Sequence, residues 1–182
     1  MAHLVLVTGG MRSGKSRYAE ERLKDSRQVL YIATARCLDK EMERRIEHHR
    51  ASRPAHWVTA EACRDLDEVL RQHPEGDVLL DCVTNMVTNL MLDEEEDYDA
   101  LSMDRIEQIE AGIRGQMTRL VEQARRQERT VILVSGEVGM SLVPVYRMGR
   151  VFTDILGRVN QYLAAQSDEV VFMVSGLPMQ VK

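Results

Sequence analysis

Gly9-Gly10-Met11-Arg12-Ser13-Gly14-Lys15-Ser16, entered from Leu4-Val5-Leu6-Val7-Thr8, is the stretch whose reading decides the fold of this chain. A short apolar run leads into paired glycines and then into the helix-forming Ser16-Arg17-Tyr18-Ala19-Glu20-Glu21, which reads as strand, loop, helix. The loop fits G-x-x-x-x-G-K-[ST], the spacing of a phosphate-binding loop. Its glycines permit positive φ, so successive N–H groups can converge on phosphate oxygens. Lys15 would reach the β- and γ-phosphates, and the Ser16 hydroxyl would help hold Mg²⁺. The helix opening at residue 13 or 14 adds the positive end of its dipole. All eight residues from Gly9 to Ser16 are therefore candidate contacts to a nucleoside triphosphate.

Outward from the loop, short apolar runs alternate with longer amphipathic segments. That pattern predicts an α/β, P-loop NTPase-type three-layer fold with a mostly parallel sheet flanked by helices. Strands are expected at 3–8, 28–33, 57–59, 77–81, 129–135 and 169–174. Helices are expected at 14–24, 39–50, 62–71, 84–92, 101–127 and 151–165. Arg53-Pro54 ends the 39–50 helix, because the residue before proline avoids helical geometry. Ser175-Gly176-Leu177-Pro178 predicts a turn into a short edge strand closing a C-terminal hairpin. The acidic run Asp93-Glu94-Glu95-Glu96-Asp97-Tyr98-Asp99 reads as a solvated surface loop. There is no repeat, low-complexity tract or linker, so the expectation is one nucleotide-binding catalytic domain over 1–182.

Composition narrows the setting. The 182 residues carry 29 acidic against 24 basic side chains, a net charge of −5, which disfavours a nucleic-acid partner. Cys37, Cys63 and Cys82 are scattered without a C-x-x-C pair, so neither structural zinc nor a disulfide framework is expected. No apolar run approaches the roughly 20 residues that cross a bilayer, and the N-terminus lacks the pattern of a signal peptide. A cytoplasmic protein without a membrane span is the expectation.

Two further features carry chemistry. Asp81 ends the apolar strand Val78-Leu79-Leu80, where phosphate-loop enzymes place the carboxylate that positions Mg²⁺. Ser16 and Asp81 are thus the candidate metal contacts. His48 and His49 are adjacent on a helix and point about 100° apart, so they cannot both face one site. Neutral imidazole can attack phosphorus, but spacing alone favours neither histidine.

The chain also resembles a known family. The matching pieces are 7–16, Tyr31-Ile32-Ala33-Thr34-Ala35, Asp39-Lys40-Glu41-Met42, Arg45-Ile46-Glu47-His48-His49-Arg50 and Arg53-Pro54-Ala55-His56-Trp57. They continue with Leu80-Asp81-Cys82-Val83-Thr84-Asn85-Met86, Glu137-Val138-Gly139 with Val143-Pro144, and Asp154-Ile155-Leu156-Gly157-Arg158-Val159-Asn160-Gln161. In this order they resemble the bifunctional adenosylcobinamide kinase/adenosylcobinamide-phosphate guanylyltransferases of cobalamin biosynthesis.

The resemblance implies two reactions. Adenosylcobinamide is phosphorylated with ATP or GTP, and GMP then passes from GTP to that phosphate through a guanylylated histidine, releasing pyrophosphate. By motif position the histidine is His48, with Lys15 assisting. The resemblance extends the nucleotide contacts to Thr34, Ala35, Arg36, Ala51, Ser52, Arg53, Pro54, Glu61 and Asp81. It also implies a homo-oligomer, typically a trimer, with the corrinoid in a cleft between subunits. Two departures are visible: Gly136 stands where many members have Asn, and Asp81 where members often carry Glu. The rival readings are a P-loop kinase for another small molecule without a covalent histidine, and a nucleotide-gated binding module. The Asn-Lys-x-Asp motif of a guanine-reading switch is absent.

Overall fold

The computed structural model describes residues 1–36 and 54–182. In chain order the elements are β1 His3–Gly9, α1 Lys15–Leu23, β2 Val29–Ala33, β3 Val58–Glu61, α2 Leu66–Gln72 and β4 Asp77–Asp81. They continue with α3 Val83–Glu94, α4 Met103–Arg126, β5 Thr130–Val134, α5 Arg147–Gln166, β6 Glu169–Val174 and β7 Leu177–Gln180. These strands form one sheet in the order β3-β2-β4-β5-β1-β6-β7. Every pair is parallel except β6–β7. The expected α/β architecture is therefore present, hairpin included.

Central strands are apolar throughout because both sheet faces are covered. Side chains alternate between the faces. Leu4, Leu6, Leu30, Ile32, Val78, Leu80, Val131 and Leu133 pack against α2, α3, α4 and α5. Val5, Val7, Val29, Tyr31, Leu79, Ile132 and Val134 pack against Ala19 and Leu23 of α1 and against Trp57. In α4, Ile106, Ile109, Ile113, Met117, Leu120 and Val121 recur at helical spacing and form its buried stripe.

Two helix starts and the acidic run depart most from the sequence-based expectation. The 62–71 helix begins only at Leu66, because Ala62 N–H still bonds the Ala33 carbonyl and Asp65 adopts φ 49°. The 151–165 helix starts a turn earlier, at Arg147. The acidic run is not a freely solvated loop. Asp93 and Glu94 lie in the last turn of α3, where Asp93 receives Arg36 and Arg64. Tyr98 is buried, its hydroxyl donating to the Met91 carbonyl at 2.8 Å.

All parallel strands present their carboxyl ends on one edge. Register sets Ala33 beside both Glu61 and Asp81, and Asp81 beside Val134, which pairs with Val7 two residues before the loop. Ligands bind beyond this edge in open α/β sheets.

Candidate nucleotide site at the carboxyl edge of the sheet

The loop takes the backbone path that its glycines permit. Gly9 and Gly14 adopt φ 147° and 94°, and Arg12 is left-handed at 55°. A Cβ on Gly9 would stand 2.6 Å from the Met173 carbonyl, so only glycine fits there. Gly14 caps α1 without a side-chain acceptor, and no acidic residue occupies the first turn. The dipole and free N–H groups thus face the space where phosphate would lie. The hairpin turn supports the loop from below, with Gly176 N–H donating to the Ser13 carbonyl at 2.9 Å. That turn has two residues, Ser175 and Gly176, at φ 51° and 87°. Positive φ at both central positions is the type I′ pattern that matches strand twist.

Lys15 lies across the loop, its ammonium donating to the Gly10 carbonyl at 2.6 Å. Burial pulls its pKa below the ordinary lysine value, while the nearby Cys82 and Asp81 act in the opposite sense. Ser16 follows on α1, and Asp81 ends β4 with a carboxylate oxygen accepting from Tyr31 at 2.8 Å. Met11 and Arg12 project outward, exposed. Ser13 is buried, and its hydroxyl has no partner among the described residues.

The remaining predicted residues divide. Thr34 lies at the same edge but is a support: its hydroxyl bridges Cys82 N–H (2.8 Å) and the Cys82 carbonyl (2.6 Å). Its own N–H and carbonyl are taken by Asp81 and by Asn89 on α3. Ala35 follows, half-buried, and Arg36 forks onto Asp93 at 2.7 Å while touching Cys63 Sγ at 3.1 Å. The paired carboxylate raises the Arg36 pKa further. Its side chain is committed to α3, which leaves its backbone for any ligand contact. Glu61 ends the edge strand β3, four strands from the loop. Pro54 accepts the Trp57 N–H. His48, Ala51, Ser52 and Arg53 lie outside the described residues.

A buried clamp that sequence reading did not assign holds the segment after β5. Ser135 donates to Asn160 Oδ1 at 2.6 Å, and Asn160 Nδ2 donates to the Gly136 carbonyl at 3.0 Å. Gly136 N–H donates to Thr84 Oγ1 at 2.6 Å, and Glu137 N–H to the Gly9 carbonyl at 2.9 Å. Helices α3 and α5 therefore fix a turn lying between the loop strand and Asp81. The signal was present: Thr84, Glu137 and Asn160 each fall in a segment carrying the family resemblance.

Gly136 also explains one departure. A Cβ there would stand 2.9 Å from Thr84 Oγ1. Gly136→Ala should destabilise the fold by about 1–3 kcal/mol through overpacking. In a double-mutant cycle with Thr84→Ala, the double variant should recover about 1 kcal/mol relative to the sum of the single costs. Denaturant midpoints measure both; strictly additive costs would refute the clash.

Residues 5–181 match the family model described as cobinamide kinase / cobinamide phosphate guanyltransferase. The Escherichia coli K12 bifunctional adenosylcobalamin biosynthesis protein CobU is 49% identical over 181 residues, covering 98% of this chain and 99% of that protein. Its Salmonella typhimurium LT2 namesake is 46% identical over 186 residues, at 98% and 99% coverage. The Pseudomonas aeruginosa PAO1 protein CobP, of the same description, is 40% identical over 181 residues, at 97% and 96% coverage.

Proposed function

The chain belongs to the cobinamide kinase / cobinamide phosphate guanyltransferase family, and from that premise we propose how its residues divide the two reactions. It is a bifunctional enzyme of cobalamin biosynthesis, a cobinamide kinase and guanylyltransferase that uses a nucleoside triphosphate. The observation that carries the reading is the phosphate loop, whose Lys15 lies under the influence of Asp81 at the sheet's carboxyl edge.

In the first reaction ATP or GTP phosphorylates the aminopropanol hydroxyl of adenosylcobinamide. The loop amides and Lys15 stabilise charge that builds on the oxygens of the departing diphosphate. In the second, neutral His48 attacks the α-phosphorus of GTP, and pyrophosphate departs from the same loop. The phosphate of adenosylcobinamide phosphate then takes GMP from His48, leaving adenosylcobinamide-GDP. Thr34-Ala35-Arg36, Ala51-Ser52-Arg53-Pro54 and Glu61 are proposed to hold the rest of the nucleotide.

The donor set at the loop suits Mg²⁺. Ser16 offers a hydroxyl and Asp81 a carboxylate, both hard oxygen donors, and phosphate oxygens and water would complete such a site. When bound, the ion neutralises phosphate charge. Tyr31 orients the Asp81 carboxylate for that contact.

We further propose a single catalytic domain over 1–182, assembled as a homo-oligomer, typically trimeric. One continuous sheet supports the first part. Exposed Leu142, Val145, Tyr146, Leu177 and Val181 support the second, since they bring the 140–146 loop and the edge strand a large apolar surface. The corrinoid is assigned to a cleft between subunits, in a cytoplasmic enzyme without a nucleic-acid partner. No helix among the described residues is long and apolar enough to cross a membrane.

Incubation with GTP labelled at the α-phosphate tests the covalent reading. The protein should acquire an acid-labile, alkali-stable label that His48→Ala removes, while phosphorylation of adenosylcobinamide continues. Label that survives in His48→Ala would refute the assignment of His48, and a wild type that takes no label would favour a simple kinase.

A further inference from the structure

We propose that Glu137 is the base that accepts the proton of the acceptor hydroxyl in the phosphorylation step, an assignment that rests on the kinase reading above. Its place follows from the sheet. Strand β5 lies between β1 and β4, so the residues after Val134 rise between the phosphate loop and Asp81. Glu137 N–H is anchored to the Gly9 carbonyl at the root of the loop. The Asn160–Ser135–Gly136–Thr84 clamp removes the freedom that this turn would otherwise have. A catalytic group needs such support, because small displacements from productive geometry cost rate steeply.

The carboxylate itself is oriented but not consumed. One oxygen accepts Gly139 N–H at 2.8 Å, which is its only hydrogen bond among the described residues. The second oxygen is left for a ligand. Glu137 lines a cavity of about 400 Å³ together with Gly10, Arg12, Ser13, Met140, Phe172 and Val174. One wall is therefore phosphate loop and much of the rest is apolar, as befits an acceptor that brings a hydroxyl on a large apolar body. Among the described residues Glu137 is the only carboxylate lining this cavity. Asp81 does not line it, and its carboxylate is the one assigned above to the metal.

The step balances. The acceptor oxygen forms a bond to the γ-phosphorus, and the bond from that phosphorus to the β–γ bridging oxygen breaks. Its electron pair leaves with the nucleoside diphosphate. The hydroxyl proton passes to the free oxygen of Glu137 and from there to water. In the guanylyl transfer the acceptor is a phosphate that is already ionised, so no proton need be removed. Glu137 is thus required by one reaction and dispensable for the other.

Glu137→Gln keeps the acceptor for Gly139 and the shape of the side chain, and removes only the basicity. With adenosylcobinamide as acceptor, kcat for phosphorylation should fall by about 10²–10³-fold, with the KM for nucleotide within about threefold of wild type. The same preparation, supplied with adenosylcobinamide phosphate and GTP, should guanylylate it within about threefold of the wild-type rate. Parallel loss of both reactions would make Glu137 a structural residue and overturn the proposal, as would phosphorylation at the wild-type rate. A wild-type enzyme that guanylylates but never phosphorylates cobinamide would instead refute the kinase reading on which the assignment rests.

Discussion

Lys15→Met will lose about 10³-fold in kcat/KM for both phosphorylation and guanylyl transfer, yet melt at the same temperature as the wild type or a few degrees above it. Both halves of that expectation come from the lysine's position. Its ammonium is drawn down among the loop carbonyls, bonded to Gly10 at 2.6 Å, in a partly desolvated spot. A preorganised charge aimed at departing phosphate oxygens is strongest where water is excluded. Both reactions use the same β- and γ-phosphates, so both fall together.

Stability moves the other way. Burial depresses the Lys15 pKa, so between that lowered value and the ordinary lysine value the unfolded chain binds more protons than the folded one. Stability therefore rises with pH across that window, and below it the charged lysine opposes folding by a constant amount. Methionine removes that cost and keeps the stem packed. Parallel kinetic assays and thermal melts decide the matter. A variant retaining more than about a tenth of either activity would show that another group carries the charge.

Arg129→Met will cost about 3 kcal/mol of fold stability, lowering the melting temperature by roughly 6–12 °C, without a specific effect on catalysis. Arg129 precedes β5 at the edge opposite the site and is only 5% exposed. Its guanidinium donates to three backbone carbonyls: Gly76 at 2.6 Å, His73 at 2.6 Å and Glu75 at 2.8 Å. Those carbonyls line the turn between α2 and β4, which sets where β4, and hence Asp81, begins. The fork geometry matters as much as the charge. Arg129→Lys, with one ammonium for three divergent acceptors, should recover less than half of the loss. Desolvation lowers the Arg129 pKa without discharging it, and the backbone dipoles answer its buried charge. Denaturant unfolding of the three proteins measures these differences; equal midpoints would mean that the turn holds itself.

The two variants also separate what is legible in a sequence from what is not. Lys15 belongs to eight consecutive residues whose spacing alone dictates a turn, a helix start and a cation at its head. Asp81 was legible for a related reason, since an acid ending an apolar strand must emerge at the sheet edge. Arg129 reads locally as no more than the first residue of the expected 129–135 strand. Its three acceptors lie more than fifty residues away in sequence, and no local pattern announces them. The acidic run misled because its charges are solvated in isolation but meet Arg36, Arg64 and Arg105 once α3 is packed. The start of α5 lies one turn before the expected 151, at Arg147, whose guanidinium donates to the Tyr98, Asp99 and Leu101 carbonyls, partners that no local pattern announces.

The sequence by itself determined the layered α/β fold and the phosphate loop, because periodicity and short motifs are set by local backbone chemistry. Only the tertiary structure decided which groups support the loop. Gly176 reaches Ser13 across the hairpin, Thr34 ties the ends of β2 and β4, and Asn160 with Thr84 fixes the turn that carries Glu137. Each is a directional hydrogen bond between residues distant along the chain. Such bonds exist only after apolar burial has brought the sheet and its helices into register.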